Sequence, residues 1–423
     1  MDSGKKTLRI AVIGGGAAGC FCAIGVKRAR PDADVTVFEA GPRLLAKVAV
    51  TGGGRCNLTN SFRDVALSGR AEPGLMRLEE VYPRGAQLMR RALRVLSPAD
   101  TQRWFEAEGV RLLTQEDQCV FPVSQDAMQI VRTLERGLRE AGVHVVCNAP
   151  VERIEAQPDG GFELTGPGDM PPYDRIIVTV GGSSQQKLQR LLPEGVEVTP
   201  CVPSLFTLKI PDAGLRALMG TVVEPAALSL AGTNFRSRGT LLLTDWGVSG
   251  PATLRLSSYA ARHLAGCQYT GTLHINWLDA TEAEARAWIA AAAAGDARKQ
   301  AASTPPPGIT ARLWRHLLGR AGLREDLRWA ELGGKGAVRL AATLTADAYP
   351  VAGRARFKEE FVTCGGVALT GISINTLESK LFPGLFFAGE ALDLDAVTGG
   401  FNLQAAWSTA AVVAGALAAS DAA

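Results

Sequence analysis

Three clusters of glycine stand where backbone can approach a ligand: Gly14-Gly15-Gly16-Ala17-Ala18-Gly19, Gly52-Gly53-Gly54 and Gly399-Gly400. The first fits the pattern G-x-G-x-x-G. There the first glycine permits a tight turn, the second lets backbone approach a pyrophosphate, and the third lets a helix pack closely on a strand. Free N–H groups and the helix dipole then favour phosphate at the helix start. Glu39 lies 20 residues beyond Gly19. A carboxylate at that place accepts hydrogen bonds from both ribose hydroxyls and disfavours a 2′-phosphate. The chemistry implied is capture of an adenine dinucleotide.

The second cluster lies in Thr51-Gly52-Gly53-Gly54-Arg55-Cys56-Asn57. Its flexible N–H groups and the Arg55 charge suit a pyrophosphate or the pyrimidine edge of a flavin. A plain surface loop is the competing reading. The third follows Leu385-Phe386-Phe387-Ala388-Gly389-Glu390 and opens Thr398-Gly399-Gly400-Phe401-Asn402-Leu403-Gln404. A helix starting there would aim its N-terminus at the negative charge near N1 and O2 of a reduced flavin. The competing reading is a simple strand–helix junction. Asp174 to Val180, ending in Gly181-Gly182, returns the chain toward the same ligand. Val151 begins a strand whose backbone could meet the adenine.

Other chemistries find little support. Eight cysteines (20, 22, 56, 119, 147, 201, 267 and 364) form no CxxC pair. That spacing supports neither a metal site nor a disulfide framework, and it suits a reducing, cytoplasmic setting. Cys56 beside Arg55 is expected to have a lowered thiol pKa if it is functional, and otherwise to be a small packing residue. The four histidines share no spacing and read as structural. GxSxG, HExxH and P-loop lysine motifs are absent, which removes hydrolase and kinase readings. The net charge of +3 permits an anionic substrate or RNA without requiring either. The run Leu8–Ile13 breaks into glycines and is not expected to be a secretory signal. Ala410–Ala419 falls short of the roughly 20 residues of a membrane span and reads as the buried end of a helix, so no membrane partner is expected.

Elements that position these residues can be read from the pattern. Leu8–Ile13, a helix over 17–29 and Val35–Glu39 make a βαβ unit. Helices are expected over about 84–108, with a fresh start at Ser97, and about 126–141. Strands follow at 143–146, 151–156, 161–165 and 174–180. Residues 200–277 read as short strands and 280–330 as helical. From about 355 strands and glycine turns return, ending in a long helix from about 401. The expected domains are 1–190 and 355–423 for the cofactor, with 191–354 inserted as a substrate or cap domain.

Several stretches together resemble the BaiN/RdsA (YhiN-like) family of flavoproteins across nearly the whole chain. They are Gly14–Gly19, Thr51–Asn57, Glu378-Ser379-Lys380-Leu381-Phe382-Pro383-Gly384-Leu385, Ala388–Glu390 and Thr398–Ala406. The G-G-G-R-C-N and T-G-G-F-N-L-Q-A-A-W stretches are the specific ones. The resemblance implies FAD, an α/β fold with a split Rossmann-like FAD-binding domain, and an inserted β-barrel-like plus helical domain. It places Glu39 on the ribose, Val151 on the adenine, and Gly52–Asn57 with Gly400–Leu403 on the diphosphate, ribityl and ring end. Ala40, Lys47, Gly182, Gly389, Glu390 and Gly399 complete the expected FAD contacts, with Gly14, Gly15, Gly16, Ala17, Ala18 and Gly19. Thr244–Pro251 also matches a family signature, with Asp245 where many relatives carry His. A longer glycine stretch seen after the Gly181-Gly182 turn in many relatives is replaced here by Ser183-Ser184-Gln185-Gln186.

An FAD-dependent oxidoreductase is therefore expected, passing hydride from flavin N5 to a conjugated C=C. Arg55, Cys56 and Asp245 are the candidate catalytic residues. NAD(P)H is the expected transient electron donor, since only one glycine fingerprint is present. The family association offers two acceptors: a uridine of large-subunit ribosomal RNA, or a small steroid-like enone. RNA would require basic surface, and Arg312, Arg315, Arg320, Arg324, Arg328, Lys335 and Arg339 offer it, with Glu325, Asp326 and Glu331 interleaved. A non-catalytic FAD-binding or sensing protein is the third reading.

Overall fold

The computed structural model describes residues 7–67, 73–168, 170–355 and 362–419. Two compact units divide the chain: Met1–Val202 with Val362–Ala423, and Pro203–Phe361.

The first unit is built on β1 (Arg9–Ile13), α1 (Ala17–Ala29) and β2 (Asp34–Phe38). β1 is apolar on both faces, as a central strand of a covered parallel sheet must be. It pairs in parallel with β2 on one side and with β4 (Arg175–Val178) on the other. β3 (His144–Val146) extends the sheet beyond β2, and β5 (Leu385–Phe387) extends it beyond β4. The order is β5-β4-β1-β2-β3, so successive crossovers change direction at β1. The carboxyl ends of β1 and β4 at this reversal are the usual ligand position of such sheets.

The helices of this unit pack on one another through small residues. A Cβ on Gly25 of α1 would lie 3.1 Å from Cβ of Ala414 in α3 (Phe401–Ala419). A Cβ on Gly137 of α2 (Ala127–Ala141) would lie 2.9 Å from Ile24 Cδ1 of α1. α3 passes by length and composition for a membrane span, yet it is 67% buried. The expected helical stretch 84–108 resolves into Ala86–Val95 and Pro98–Ala107, divided at Ser97. Ser97 Oγ accepts the Asp100 N–H at 3.1 Å and Asp100 returns the favour to the Ser97 N–H, a closed capping box. The strand expected at 151–156 begins only at Arg153.

The second unit holds a six-stranded antiparallel sheet in the order Leu208–Lys209, Gly247–Ser249, Arg236–Leu243, Val222–Leu230, Thr270–Asn276, Asp347–Ala352. Its ends meet: Leu208 pairs with Arg354, the Lys209 N–H donates to Gly353 O at 2.9 Å, and the Ala355 N–H donates to Thr207 O at 3.1 Å. The sheet is thus a barrel, as expected. Its last strand comes after the helices, outside the range that reads as β-rich in the sequence. Helices Glu282–Gly295, Ala311–Arg320 and Gly333–Ala346 form the helical part. The third lies wholly beyond the expected helical range. Trp288, Trp314 and Trp329 meet between them at ring separations of 5.8 to 6.5 Å.

A polar network ties helix 311–320 to the barrel. Arg320 Nη2 donates to the buried Asp347 carboxylate at 2.6 Å, and its guanidinium lies 4.3 Å from the Tyr349 ring centre. His316 Nε2 is 3.2 Å from the Tyr349 hydroxyl, and Trp277 Nε1 donates to Asp347 Oδ2. Burial holds the His316 pKa below its ordinary value of 6.5, against the pull of Asp212 and Asp347; Arg320 lowers it further.

The unfolded chain therefore takes up a proton near pH 6.5 that the folded chain refuses. Stability contributed by neutral His316 is full above that pH and declines as the pH falls toward the lower folded value. Urea midpoints should drop from about pH 7.5 to about pH 5.5, and less steeply in His316→Gln. Equal slopes in the two proteins would contradict this.

Candidate functional site

The carboxyl end of β1 is shaped by contacts that exclude side chains. Gly14 has φ +109°, and a Cβ there would lie 2.5 Å from Thr179 O. A Cβ on Gly19 would lie 2.0 Å from Gly14 O. Only glycine lets α1 start so close to β1 and β4. Thr179 fastens the junction, its hydroxyl donating to Gly14 O at 2.8 Å. Gly16 differs: its Cβ position meets nothing within 4 Å. It is the N-cap of α1, without a side-chain cap or an acidic residue in the first turn. An uncapped helix start beside open backbone fits a pyrophosphate. Ala18 is buried against Gly389, where a Cβ would lie 2.8 Å from Ala18 Cβ.

Glu39 accepts the Gly15 N–H at 2.8 Å and the Gly41 N–H at 2.7 Å, one on each oxygen. Each oxygen keeps a lone pair for a ribose hydroxyl. The Glu39 N–H donates to Val146 O, and the Ala149 N–H donates to Glu39 O. The chain leading to the half-buried Val151 thus runs beside Glu39, while Ala40 is exposed. Leu45 donates its N–H to Gly15 O, bringing Lys47 to this edge. Lys47 Nζ lies 3.8 Å from Glu390 Oε2, and Glu390 Oε1 accepts the Thr363 N–H. A Cβ on Gly182 would lie 2.6 Å from Glu390 Oε1, so these three positions adjoin.

The second glycine loop follows one short helical stretch that the sequence did not suggest. Regular geometry ends at Thr51 (ψ 149°), and Gly52, Gly53 and Gly54 take φ of +60°, +67° and +80°. Three successive residues in that region are open to glycine alone. The Cβ positions of Gly53 and Gly54 meet nothing within 4 Å. Arg55 is exposed at the loop's end and Cys56 is fully buried.

This burial corrects one expectation. Desolvation pushes the Cys56 thiol up to about 12, so Arg55 does not create a low-pKa thiolate. Asp245 is exposed on the turn 244–247 of the second unit, where its carbonyl accepts Arg216 Nε at 2.6 Å.

Loop 51–60 and the start of α3 are locked together. A Cβ on Gly400 would lie 2.4 Å from Thr59 backbone. Asn57, with its amide turned to satisfy both partners, donates to Thr59 O and accepts the Gly400 N–H at 3.1 Å. Asn60 Nδ2 donates to Gly399 O, and Asn402 holds both backbone groups of Ala396. Phe401 is buried and Leu403 half-buried.

Gln404, quoted in the motif but given no role by sequence reasoning, is the hub beneath. Its Oε1 accepts the Thr59 hydroxyl; its Nε2 donates to Thr101 Oγ1 at 3.0 Å and Ser408 Oγ at 2.8 Å, with Leu96 O at 3.3 Å. Trp407 Nε1 adds a bond to Leu58 O, and the Tyr82 hydroxyl donates to Phe401 O. Arg84 and the buried Asp395 form an ion pair on the loop before α3. A glutamine followed four residues later by a serine, in a helix otherwise rich in alanine and valine, was the available signal. The donor set, two helix starts, two open glycine runs and one carboxylate with lone pairs left for hydroxyl donors, fits FAD.

Gln404→Leu should lower stability by about 3 kcal/mol, since several buried polar groups lose partners together. Urea titration showing a loss under about 1 kcal/mol would refute the hub. Thiol labelling of the native protein should modify exposed Cys267 rapidly and leave Cys56 untouched until unfolding. Peptide mapping that finds native Cys56 modified would overturn its assignment as a buried thiol.

A family model described as the HI0933-like protein Rossmann domain matches residues 8–416. The 3-dehydro-bile acid delta(4,6)-reductase of Clostridium scindens is 27% identical over 417 residues, covering 95% of this chain and 97% of that protein. The ribosomal RNA dihydrouridine synthase of Haemophilus influenzae is 28% identical over 424 residues, covering 94% and 96%. Among solved structures, the 3-ketosteroid-delta4-(5alpha)-dehydrogenase of Rhodococcus jostii RHA1 is similar at a TM-score of 0.47 and 12% identity, covering 99% and 98%.

Proposed function

The chain belongs to the HI0933-like family of FAD-dependent oxidoreductases, and on that footing we propose that it saturates a conjugated carbon–carbon double bond with hydride supplied by its FAD. The observation that carries the reading is the α3 N-terminus, pinned by Gly400 and Asn57 onto the second glycine loop. An uncharged helix start held there favours negative charge on whatever lies against it. The names of both relatives describe such a saturation, one on a bile acid and one on uridine.

Within this reading Glu39 orients the adenosine and Gly16 receives the pyrophosphate. Gly52–Asn57 and Gly400–Leu403 hold the ring end. A reduced nicotinamide visits as electron donor, and Asp245 delivers the proton to the carbon next to the hydride acceptor. Cys56 takes no part in proton transfer, because a buried thiol of such high pKa neither ionises nor exchanges readily.

Uridine in large-subunit ribosomal RNA and a small enone are the two acceptors. Charge pairing favours the enone. Three of the insert's arginines are paired with carboxylates: Arg315 with Glu325, Arg320 with Asp347 and Asp212, Arg324 with Asp326 and Glu331. Arg312 and Arg339 donate to backbone carbonyls, which orient them and leave their charge in place. The three paired cations are poor counter-charges for phosphate.

Anaerobic photoreduction of the FAD-loaded protein provides the test. Mixing with a 3-oxo-4-ene steroid should restore the oxidised flavin spectrum and yield the saturated product, and Asp245→Asn should slow that step without slowing flavin reduction. A reduced flavin that no enone or uridine substrate reoxidises would sink the reductase reading. Unchanged ribosomal dihydrouridine after deletion of the gene would remove the RNA acceptor.

A further inference from the structure

Beside the strands Val198–Ser204 and Val362–Val367 the first unit holds a cavity of about 250 Å³. Buried Val367, Ala368, Ile372 and Phe387 line it, and Leu381, 62% exposed, lines its open side. At roughly 30 Å³ per water this space equals about eight waters, room for one amino acid of the size of leucine or phenylalanine. None of the lining residues belongs to the donor set that fits FAD.

Local bonds build the cavity. The Ala368 N–H donates to Glu197 O at 2.9 Å, and the Lys380 N–H donates to Gly371 O at 2.9 Å. Segment 195–197 and the turn 379–382 are thereby fastened on either side of the short 3-10 helix Leu369–Gly371. Gly195 adopts φ +98°, and a Cβ there would lie 3.6 Å from Leu381 Cδ1, so Leu381 reaches across to that segment.

Polar groups converge on the same space. Ser379 lines the cavity and is 7% exposed. Its oxygen accepts the Leu381 N–H at 3.2 Å and the Phe382 N–H at 3.1 Å. Both lone pairs are then used, and among the described residues its proton has no acceptor. Thr370, also in the lining, holds one charge at each of its oxygens. Its hydroxyl donates to Glu197 Oε2 at 3.3 Å, and its carbonyl accepts Lys380 Nζ at 2.8 Å. Among the described residues, no cation lies within 4.0 Å of the Glu197 carboxylate and no carboxylate within 4.0 Å of the Lys380 ammonium.

Apolar walls give a small-molecule pocket its affinity, and a few fixed polar groups give it orientation. An anion and a cation held on one residue complement a ligand that carries both charges on one carbon. We propose that this cavity binds a free α-amino acid with an apolar side chain. The side chain lies against Val367, Ile372 and Phe387. The ammonium meets Glu197, and the carboxylate meets Lys380 with the Ser379 hydroxyl as a second donor.

The test titrates the full FAD-loaded chain with L-leucine, L-leucinamide and 4-methylpentanoate, read by calorimetry and by the thermal midpoint. L-leucine should bind and raise the midpoint as its concentration rises. Leucinamide lacks the carboxylate and 4-methylpentanoate lacks the ammonium, so each should bind about fivefold more weakly. Glu197→Gln should weaken L-leucine about fivefold with no loss for 4-methylpentanoate. Lys380→Met should weaken L-leucine by a similar factor with no loss for leucinamide. Both side chains are exposed, so neither change disturbs the core.

No binding of L-leucine or L-phenylalanine at about 10 mM overturns the proposal. Leucinamide that binds as tightly as leucine makes a peptide amino terminus the occupant and overturns it too. An affinity for L-leucine that survives both substitutions places the amino acid elsewhere, with the same result.

Discussion

Gly19 sits where any Cβ would lie 2.0 Å from the carbonyl oxygen of Gly14. α1 can seat on the parallel sheet only with hydrogen at that point, and the rest of the first unit follows from how α1 is seated. Its depth fixes Gly25 against Ala414 and Ala18 against Gly389, and these contacts fix α3. α3 in turn carries Gln404, whose bond to Thr59 fixes the strand that ends the second glycine loop. One steric minimum thereby propagates through two helices to the second glycine loop. Dispersion and hydrogen bonding supply the energy along the way, but close approach decides where they act.

Much of this was legible in the chain. The βαβ unit, the limits of α1, the capped start at Ser97 and the glycine clusters are local signals, and local chemistry governs each of them. The open backbone of the glycine clusters was legible for the same reason, since backbone left free to approach phosphate needs glycine. What escaped was non-local. Gln404 gains its meaning from Thr59 and Thr101, more than 300 residues away in sequence. Cys56 beside Arg55 reads either as an activated thiol or as a small packing residue, and only folding, which buries the one and exposes the other, separates the two.

Charge was the least legible property. The insert's arginines read as a basic stretch because a sequence displays charges without their partners. Folding pairs Arg320 with Asp347 across 27 positions, and brings Arg324 onto Glu331. Arg55 shows the reverse. Its neighbours in sequence suggested a phosphate loop, while its neighbours in space are an aromatic ring and a neutral amide. Composition counts charge; only tertiary structure says which charge is still available.

The barrel of the second unit closes through Thr207 and Ala355, its first and last framework residues. The strands that lead the chain out and back, Val198–Ser204 and Val362–Val367, also pair with each other. A long excursion of chain is therefore bounded by two neighbouring points, and the parent fold meets it as though it were a short turn. An insertion of that kind imposes little loop-closure entropy whatever its length. The excursion can then be lengthened or trimmed without disturbing the glycine contacts of the first unit.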